Sequence, residues 1–383
     1  MKILLSLTYF EPYHSGLSVY AYRLAQGLSE LGHEVTVLTS QYQTNLLEEE
    51  HLGAVRVVRV PVGLKLSKGV IMPRLRDVAL PLIQWADVVN LHLPQFESYW
   101  LSAYCRRLHK PLVVTYHCDL VMQGGLLKRF AGWGTQLLQN RPLNIADRIV
   151  QNSVDYAQNS PALRPRMAKV VAVPPPVIAQ KSDPEAVLRF KHKHAIQPDH
   201  RVLGMAGRVA TEKGVEYLLE AFPEILRKFP KARILHAGAW QSVIGEEAYQ
   251  ERVERMAKPF GGKFEKLGFL DDDEFSAFFA ACDLLVFSSL NATESFGIVQ
   301  VEAMAQETPI VATNLPGVRQ PVLQTTFGCL VPPRDGPALA NAICAMLEKP
   351  PAIPAGLSAY LAQFIQANVA RQYETLINSL IRL

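Results

Sequence analysis

Two glutamates stand eight residues apart in the segment Thr293-Glu294-Ser295-Phe296-Gly297-Ile298-Val299-Gln300-Val301-Glu302. An apolar run ending near Phe287 reads as a buried strand, Ser288 to Thr293 as a loop, and Gly297 to Gln306 as a helix. That order puts Glu294 just ahead of a helix start and Glu302 inside the helix. Backbone N–H groups at a helix start favour an anion such as a phosphate, which makes Phe296, Gly297, Ile298 and Val299 candidate ligands through their main chain. A carboxylate in the loop can meet a sugar, and one a turn or more into the helix can accept hydroxyl protons. A plainer reading stays open, with Glu294 a partner of the helix dipole and Glu302 a solvated side chain. Ile298, Val301 and Ala305 already supply an apolar face, so a glutamate beside them is slightly unexpected.

Arg208 and Lys213 lie five residues apart in Gly207-Arg208-Val209-Ala210-Thr211-Glu212-Lys213-Gly214, a glycine-flanked strand-to-helix turn. A guanidinium and an ammonium so placed can both reach a diphosphate, and a solvated basic turn is the alternative. Glu11-Pro12-Tyr13-His14-Ser15-Gly16-Leu17 joins the first strand to the first helix. Gly16 there would let backbone amides approach a phosphate or sugar, unless the segment is simply a tight turn. His117 closes a strand in Thr115-Tyr116-His117-Cys118-Asp119. A lone histidine is more often structural, but at a strand's carboxyl end it is a plausible polar ligand, with Asp119 a weaker one. A nucleophile pair of Cys118 and His117 is discounted, because adjacent strand residues point to opposite faces.

The elements that must position these residues alternate along the chain. Strands are expected at 2–8, 35–39, 55–60, 87–92, 112–116, 148–151 and 170–173, and a helix over 17–31 capped by Gly32. Three prolines at 174–176 then break the pattern, as they can continue neither a helix nor a central strand. It restarts with strands at 201–207, 232–237, 263–267, 284–287 and 310–313. Helices are expected over 215–229, 246–258, 271–281, 335–347 and 359–383. Alternating strands and helices make two doubly wound α/β domains with parallel sheets, parted after residue 177. Ligands of such sheets bind outside the carboxyl ends of the strands, and two such sheets would face each other across a cleft. No G-x-G-x-x-G follows the first strand, and the chain has no G-x-x-x-x-G-K-[ST], which argues against dinucleotide and P-loop chemistry.

At 383 residues the chain has length for two to three domains of about 150 residues. A 49% hydrophobic and 19% charged composition excludes a disordered chain. The five cysteines are scattered without a C-x-x-C pair, which points to a reducing, cytoplasmic compartment. No cleavable leader is expected at the start, and the longest mostly apolar run, Ala277 to Leu290, is too short to cross a bilayer. The net charge of +4 is uneven: residues 1–178 carry 18 Lys and Arg against 12 Asp and Glu, and the remainder 21 against 23. Lys65, Lys68, Arg74 and Arg76 form one basic stretch, and Lys128 and Arg129 lie in an amphipathic one with Phe130 and Trp133. Both suit an anionic membrane surface, with a solvated helix face as the alternative. No nucleic-acid motif accompanies the charge.

The segment from Glu294 to Glu302 resembles the Glu-x7-Glu motif of the retaining glycosyltransferases of family four, which have the GT-B fold of two Rossmann-like domains. Ala281 to Ser289 before it and Pro309 to Gly317 after it are similar to the family's flanking text, and the resemblance covers nearly the whole chain. It implies that the last helix returns to the first domain, giving domains 1–177 plus 362–383 and 178–361, that Glu294 lies at the donor sugar and that Glu302 lies at the nucleotide ribose. Arg208 and Lys213 match the family's G-R-x-x-x-x-K-G element, which grips the donor pyrophosphate. His117 matches a histidine that contacts the transferred sugar, and Asp119 would then lie on the acceptor side. The first-helix turn departs from the family, with Ser15 in place of the first of two glycines. The resemblance implies transfer of a hexose from a GDP-mannose or UDP-glucose type donor to a glycolipid, lipid-linked or polysaccharide-precursor acceptor, without a metal or other cofactor. A cytoplasmic protein, peripheral on the inner face of the membrane, fits this expectation. The rival readings are a retaining glycosidase, a nucleotide-sugar epimerase of the same fold and a non-catalytic nucleotide-sugar-binding protein.

Overall fold

The computed structural model describes residues 1–66, 69–120, 138–240 and 245–381. The chain divides into two compact units, Met1–Val177 with Gln363–Leu383, and Ile178–Ala362.

In the first unit the apolar runs become β1 (Lys2–Ser6), β2 (Glu34–Gln41), β3 (Glu49–Leu52), β4 (Val55–Pro61), a small hairpin of β5 (Leu64–Leu66) and β6 (Gly69–Ile71), β7 (Val88–Leu93), β8 (Leu112–Tyr116), β9 (Arg148–Gln151) and β10 (Val170–Ala172). Eight of them form one sheet in the order β10-β9-β8-β7-β1-β2-β4-β3. Every pairing in it is parallel except the edge pair β3–β4. β7 and β8 are buried along their whole length, as strands covered on both faces must be.

The helix Gly16–Glu30 buries Tyr20, Ala21, Leu24, Ala25 and Leu28 at the three-and-four spacing read from the sequence. It stops at Gly32, whose φ of +85° is open to glycine at little cost. The final helix, Gln366–Ile381, shares its core through Val369, Ala370, Tyr373, Leu376 and Ile377. Gly27 permits that approach, since a Cβ there would lie 2.9 Å from Gln366 Cγ and 3.0 Å from Ala370 Cβ. Each fully buried Leu or Ile in this layer contributes about 1.5–3 kcal/mol.

The second unit contains β11 (Arg201–Ala206), β12 (Ala232–Ala237), β13 (Phe264–Gly268), β14 (Leu284–Phe287), β15 (Ile310–Thr313) and β16 (Gly328–Val331). They form an all-parallel sheet in the order β13-β12-β11-β14-β15-β16. Asp271 and Asp335 cap their helices by accepting from Glu274 N and Ala338 N.

Two expectations need correction. The helix expected over 359–383 is two helices, Leu357–Ala362 and Gln366–Ile381. Between them Val177 N donates to Phe364 O and Val177 pairs with Ile365 as a β-bridge, so this backbone serves a strand-like contact instead of a helix. The helix Pro184–Lys193 was not anticipated, although Asp183 and Pro184 spell a cap and a first-turn proline. Replacing Gly27 with Leu should destabilise the protein by roughly 1–3 kcal/mol through overpacking against the final helix, measured by urea unfolding.

Candidate functional site

In the second unit, two loops at the carboxyl ends of neighbouring strands are joined. Gly207 follows β11, and the Lys213 stem lies against it, with Cε 3.5 Å from where a Cβ would be. Thr211–Lys213 makes one tight turn, and Gly214 at φ +64° opens the helix Val215–Lys228. A Cβ on Gly214 would lie 2.4 Å from Ser288 O, so the loop after β14 presses directly on it. Ser288 Oγ donates to the carbonyls of Lys213 (3.1 Å) and Gly214 (3.0 Å), and Leu290 N donates to Glu212 O (2.9 Å). The result is that Lys213 Nζ donates to Glu294 Oε2 at 2.5 Å, with both side chains largely shielded. Arg208 makes a longer contact to Glu212, 3.4 Å, and keeps a third of its side chain exposed.

Gly297 stands at the start of the helix Ile298–Ala305 with φ +80°. A Cβ there would lie 2.6 Å from Phe287 Cζ and 2.8 Å from Gln300 Nε2. Gln300 Nε2 in turn donates to Phe296 O (2.8 Å) and Val318 O (3.0 Å), which fixes the chain entering the helix. In the first turn Gln300 N donates to Gly297 O at 3.0 Å. Phe296 is buried, while Ile298 and Val299 are half-buried. Glu302 is 7% exposed, which corrects the alternative of a solvated helix residue.

In the first unit, Ser15 is the N-cap of the helix Gly16–Glu30. Its Oγ accepts from Ser18 N, and Ser18 Oγ accepts from Ser15 N at 2.8 Å. The departure at Ser15 is therefore a reciprocal capping box. Gly16 has ordinary helical backbone, and a Cβ on it would meet no atom within 4 Å, so the fold itself does not require glycine there. His117 sits just beyond β8, its N–H donating to Leu93 O. Its Nε2 lies 3.0 Å from His92 Nδ1, and the Tyr20 ring meets it edge-on at 4.8 Å. Burial pushes the His117 ring down to about 3 and His92 well below its ordinary value, so both are neutral at pH 7.

The residues 188–364 match the family model described as glycosyl transferases group 1, and 14–181 match glycosyltransferase family 4. The phosphatidyl-myo-inositol mannosyltransferase of Mycobacterium leprae is 26% identical over 402 residues, covering 95% of this chain and 94% of its own. The O-antigen chain mannosyltransferase C of Escherichia coli is 26% identical and covers 88% and 85%. The chain belongs to the group 1, family 4 glycosyltransferases. Among solved structures, sucrose-phosphate synthase from Thermosynechococcus elongatus superposes with a TM-score of 0.80 at 22% identity, covering 100% of this chain and 99% of its own. HepE of Anabaena in complex with UDP gives 0.78 at 20%, covering 99% and 100%. The two α/β units are thus the Rossmann-like domains of the GT-B fold.

In this glycosyltransferase, Asp119 is largely taken up by the fold. Its Oδ1 accepts from Tyr116 OH (2.7 Å) and Ser160 Oγ (2.8 Å), and its N–H donates to Tyr156 OH at 2.6 Å. Lys65, Arg74 and Arg76 are exposed, and Arg74 lies 3.8 Å from Glu48. Lys68, Lys128 and Arg129 lie outside the described residues. No helix among the described residues is long and apolar enough to cross a membrane, and none of their His, Cys, Asp and Glu side chains cluster in a set that could hold a metal ion.

Sequence reasoning missed His92 and Glu97. The available signal was VVNLHL, a buried strand with two polar residues at alternate positions. Glu97 is buried, accepts from Thr8 Oγ1 at 3.0 Å, and is pushed up by burial to about 7. A carboxyl raised in the folded state stabilises the fold below its unfolded value and loses that contribution as pH rises through 7. Glu97→Gln should therefore gain stability relative to wild type between pH 5 and pH 8, by up to about 3 kcal/mol, in urea titrations at the two pH values.

Proposed function

We propose that the protein is a retaining hexosyltransferase that moves a sugar from a nucleotide diphosphate to a glycolipid, lipid-linked or polysaccharide-precursor acceptor. The observation that carries this reading is the Lys213–Glu294 pair, held between the loops after β11 and β14. A diphosphate needs fixed positive donors, and a hexose needs a carboxylate that orients its hydroxyls. This pair puts one of each within a single hydrogen bond.

In the proposed reaction Arg208, Lys213 and the amides of Gly297 and Ile298 hold the donor diphosphate. Glu302 accepts from the ribose hydroxyls. Glu294 and His117 orient the hexose, Gly16 lies beside the donor, and Asp119 remains the acceptor-side candidate. The bond from the anomeric carbon to the diphosphate oxygen breaks as the acceptor oxygen bonds to that carbon on the same face. The departing phosphate oxygen takes the acceptor's proton, and the fixed cations balance the charge that develops on it. Side chains supply that balance in this reading, and no metal or other cofactor is assigned a step. A GDP-mannose type donor is favoured by the mannosyltransferase relatives and a UDP-glucose type by a neighbour solved with UDP-glucose.

Lys213→Ala should lower kcat/KM by about 10²–10³, the scale for losing one pre-placed donor to a developing anion, with transfer unchanged in EDTA. A thermal-shift panel of GDP, UDP and ADP identifies the base, since a ligand at a hundred times its Kd stabilises by about 2.7 kcal/mol. Product made without acceptor would instead indicate an epimerase, and hydrolysis of nucleotide-free glycosides a glycosidase.

The basic residues Lys65, Lys68, Arg74, Arg76, Lys128 and Arg129 are proposed to hold the cytoplasmic protein on an anionic membrane surface while it meets its acceptor. Co-sedimentation of the full chain with phosphatidylglycerol vesicles should fall steeply with salt and with charge reversal at Arg74 and Arg76. Equal pelleting with neutral vesicles would remove this part.

A further inference from the structure

We propose that His92 is a positioning residue that fixes the tautomer of His117, so that His117 offers an N–H at Nδ1 as a hydrogen-bond donor to the bound hexose. The inference rests on the sugar contact assigned to His117 above.

The argument starts from register. β7 and β8 pair with His92 opposite Thr115, and His117 follows two residues on, which returns it to the Thr115 face. The two imidazoles therefore come together at the carboxyl ends of the two strands. His92 Nδ1 and His117 Nε2 lie 3.0 Å apart, with ring centroids 5.2 Å apart and planes 23° apart. That distance requires one proton between two nitrogens, so one ring donates and the other accepts.

The far side of His92 decides which. His92 Nε2 is buried and has no hydrogen-bond partner among the described residues. If His117 donated, His92 would carry its own proton on Nε2 and leave an N–H orphaned in the core. Orphaned buried N–H groups are rarer than under-satisfied acceptors. If His92 donates from Nδ1, only a bare nitrogen is left there. His117 then accepts at Nε2, and as a neutral ring it must carry its proton on Nδ1.

A ring turned through half a revolution would put a carbon where Nε2 meets His92 and lose that bond. Tyr20 meets it at 89°, and Tyr20 OH is hydrogen-bonded to Tyr373 OH at 2.8 Å. Tyr373 OH also lies 2.9 Å from Thr115 Oγ1, which donates to Asn90 Oδ1. Three elements thus set one plane, with Nε2 committed to His92. The remaining nitrogen is a donor matched to a hydroxyl or ring oxygen, not a base that accepts a proton. His92 acts through His117 and touches no substrate.

The test is long-range 1H–15N correlation on histidine-labelled full-length protein at neutral pH. Pyrrole-type Nδ1 and pyridine-type Nε2 are expected for His117, and the same pair for His92. A pyrrole-type Nε2 on His117 overturns the proposal, whatever the kinetics show. His92→Asn keeps an amide near the Nδ1 position and should preserve both the His117 tautomer and kcat. His92→Phe should mix the tautomers and lower kcat by about tenfold with donor KM little changed. Loss of activity in both variants with the His117 tautomer intact would reduce His92 to packing. Wild-type transfer by His117→Ala would overturn the sugar contact itself, while the tautomer assignment would still be read from the spectra.

Discussion

Parallel pairing is the constraint on which the rest of this molecule depends. Parallel strands cannot be joined by tight turns, so each strand must hand the chain to a crossover before the next begins. Apart from the antiparallel edge pair β3–β4, the strands of both sheets therefore open at their carboxyl ends into loops, and loops of neighbouring strands meet. Gly16 follows β1, His92 is the last residue but one of β7, and His117 follows β8. Arg208 and Lys213 follow β11, and Glu294 follows β14. β11 and β14 are direct neighbours in the second sheet, as β7 and β8 are in the first. Lys213 meets Glu294 across 81 residues of sequence, and His92 meets His117 across 25, for the same topological reason.

The cluster described in each unit handles polar groups near a core in its own way. In the second unit's cluster, charge is kept and paired. Lys213 and Glu294 neutralise each other in a shielded place, so removing one partner strands the other. Their single variants would not be additive, and only a double-mutant cycle separates the pair's own coupling from the cost of a stranded charge. In the first, charge is removed. His92 and His117 are held neutral by burial, and Glu97 is pushed toward neutrality by the same cause. In the proposed reading, the charged pair meets an anionic group and the neutral pair meets hydroxyls.

What could be read from the sequence follows from which interactions are local. Helix Gly16–Glu30 was legible because its apolar spacing and its Gly32 stop lie within one short window. The parallel sheets were legible because Leu112–Tyr116 and Leu284–Phe287 are continuous apolar runs between helices. The strand Glu49–Leu52 was not, because its polar residues carry no such run, and Gly328–Val331 is a run of only four residues between Phe327 and two prolines. At the site, Glu294, Arg208 and Lys213 could be named from spacing and resemblance, but not the bond between Lys213 and Glu294, which depends on strand order. His92 was hidden because a polar residue in a buried strand announces a partner without saying where it is, and Glu97, just ahead of the helix Ser98–Arg107, reads as an ordinary helix-start carboxylate.

The final helix shows how far such non-local dependence extends. Tyr373 belongs to the last elements of the chain, yet its hydroxyl sits between Tyr20 OH and Thr115 Oγ1 beneath the His117 ring. Burial pushes Tyr20 and Tyr373 well above the ordinary phenol value, so both remain hydroxyls and can share a proton chain at any physiological pH. Remove Tyr373, and two buried hydroxyls lose a common partner while the ring that braces His117 loses its anchor. The first unit therefore cannot complete its own polar network from residues 1–177. The ring that packs against its histidine pair is hydrogen-bonded to a side chain that the sequence supplies only after residues 178–362.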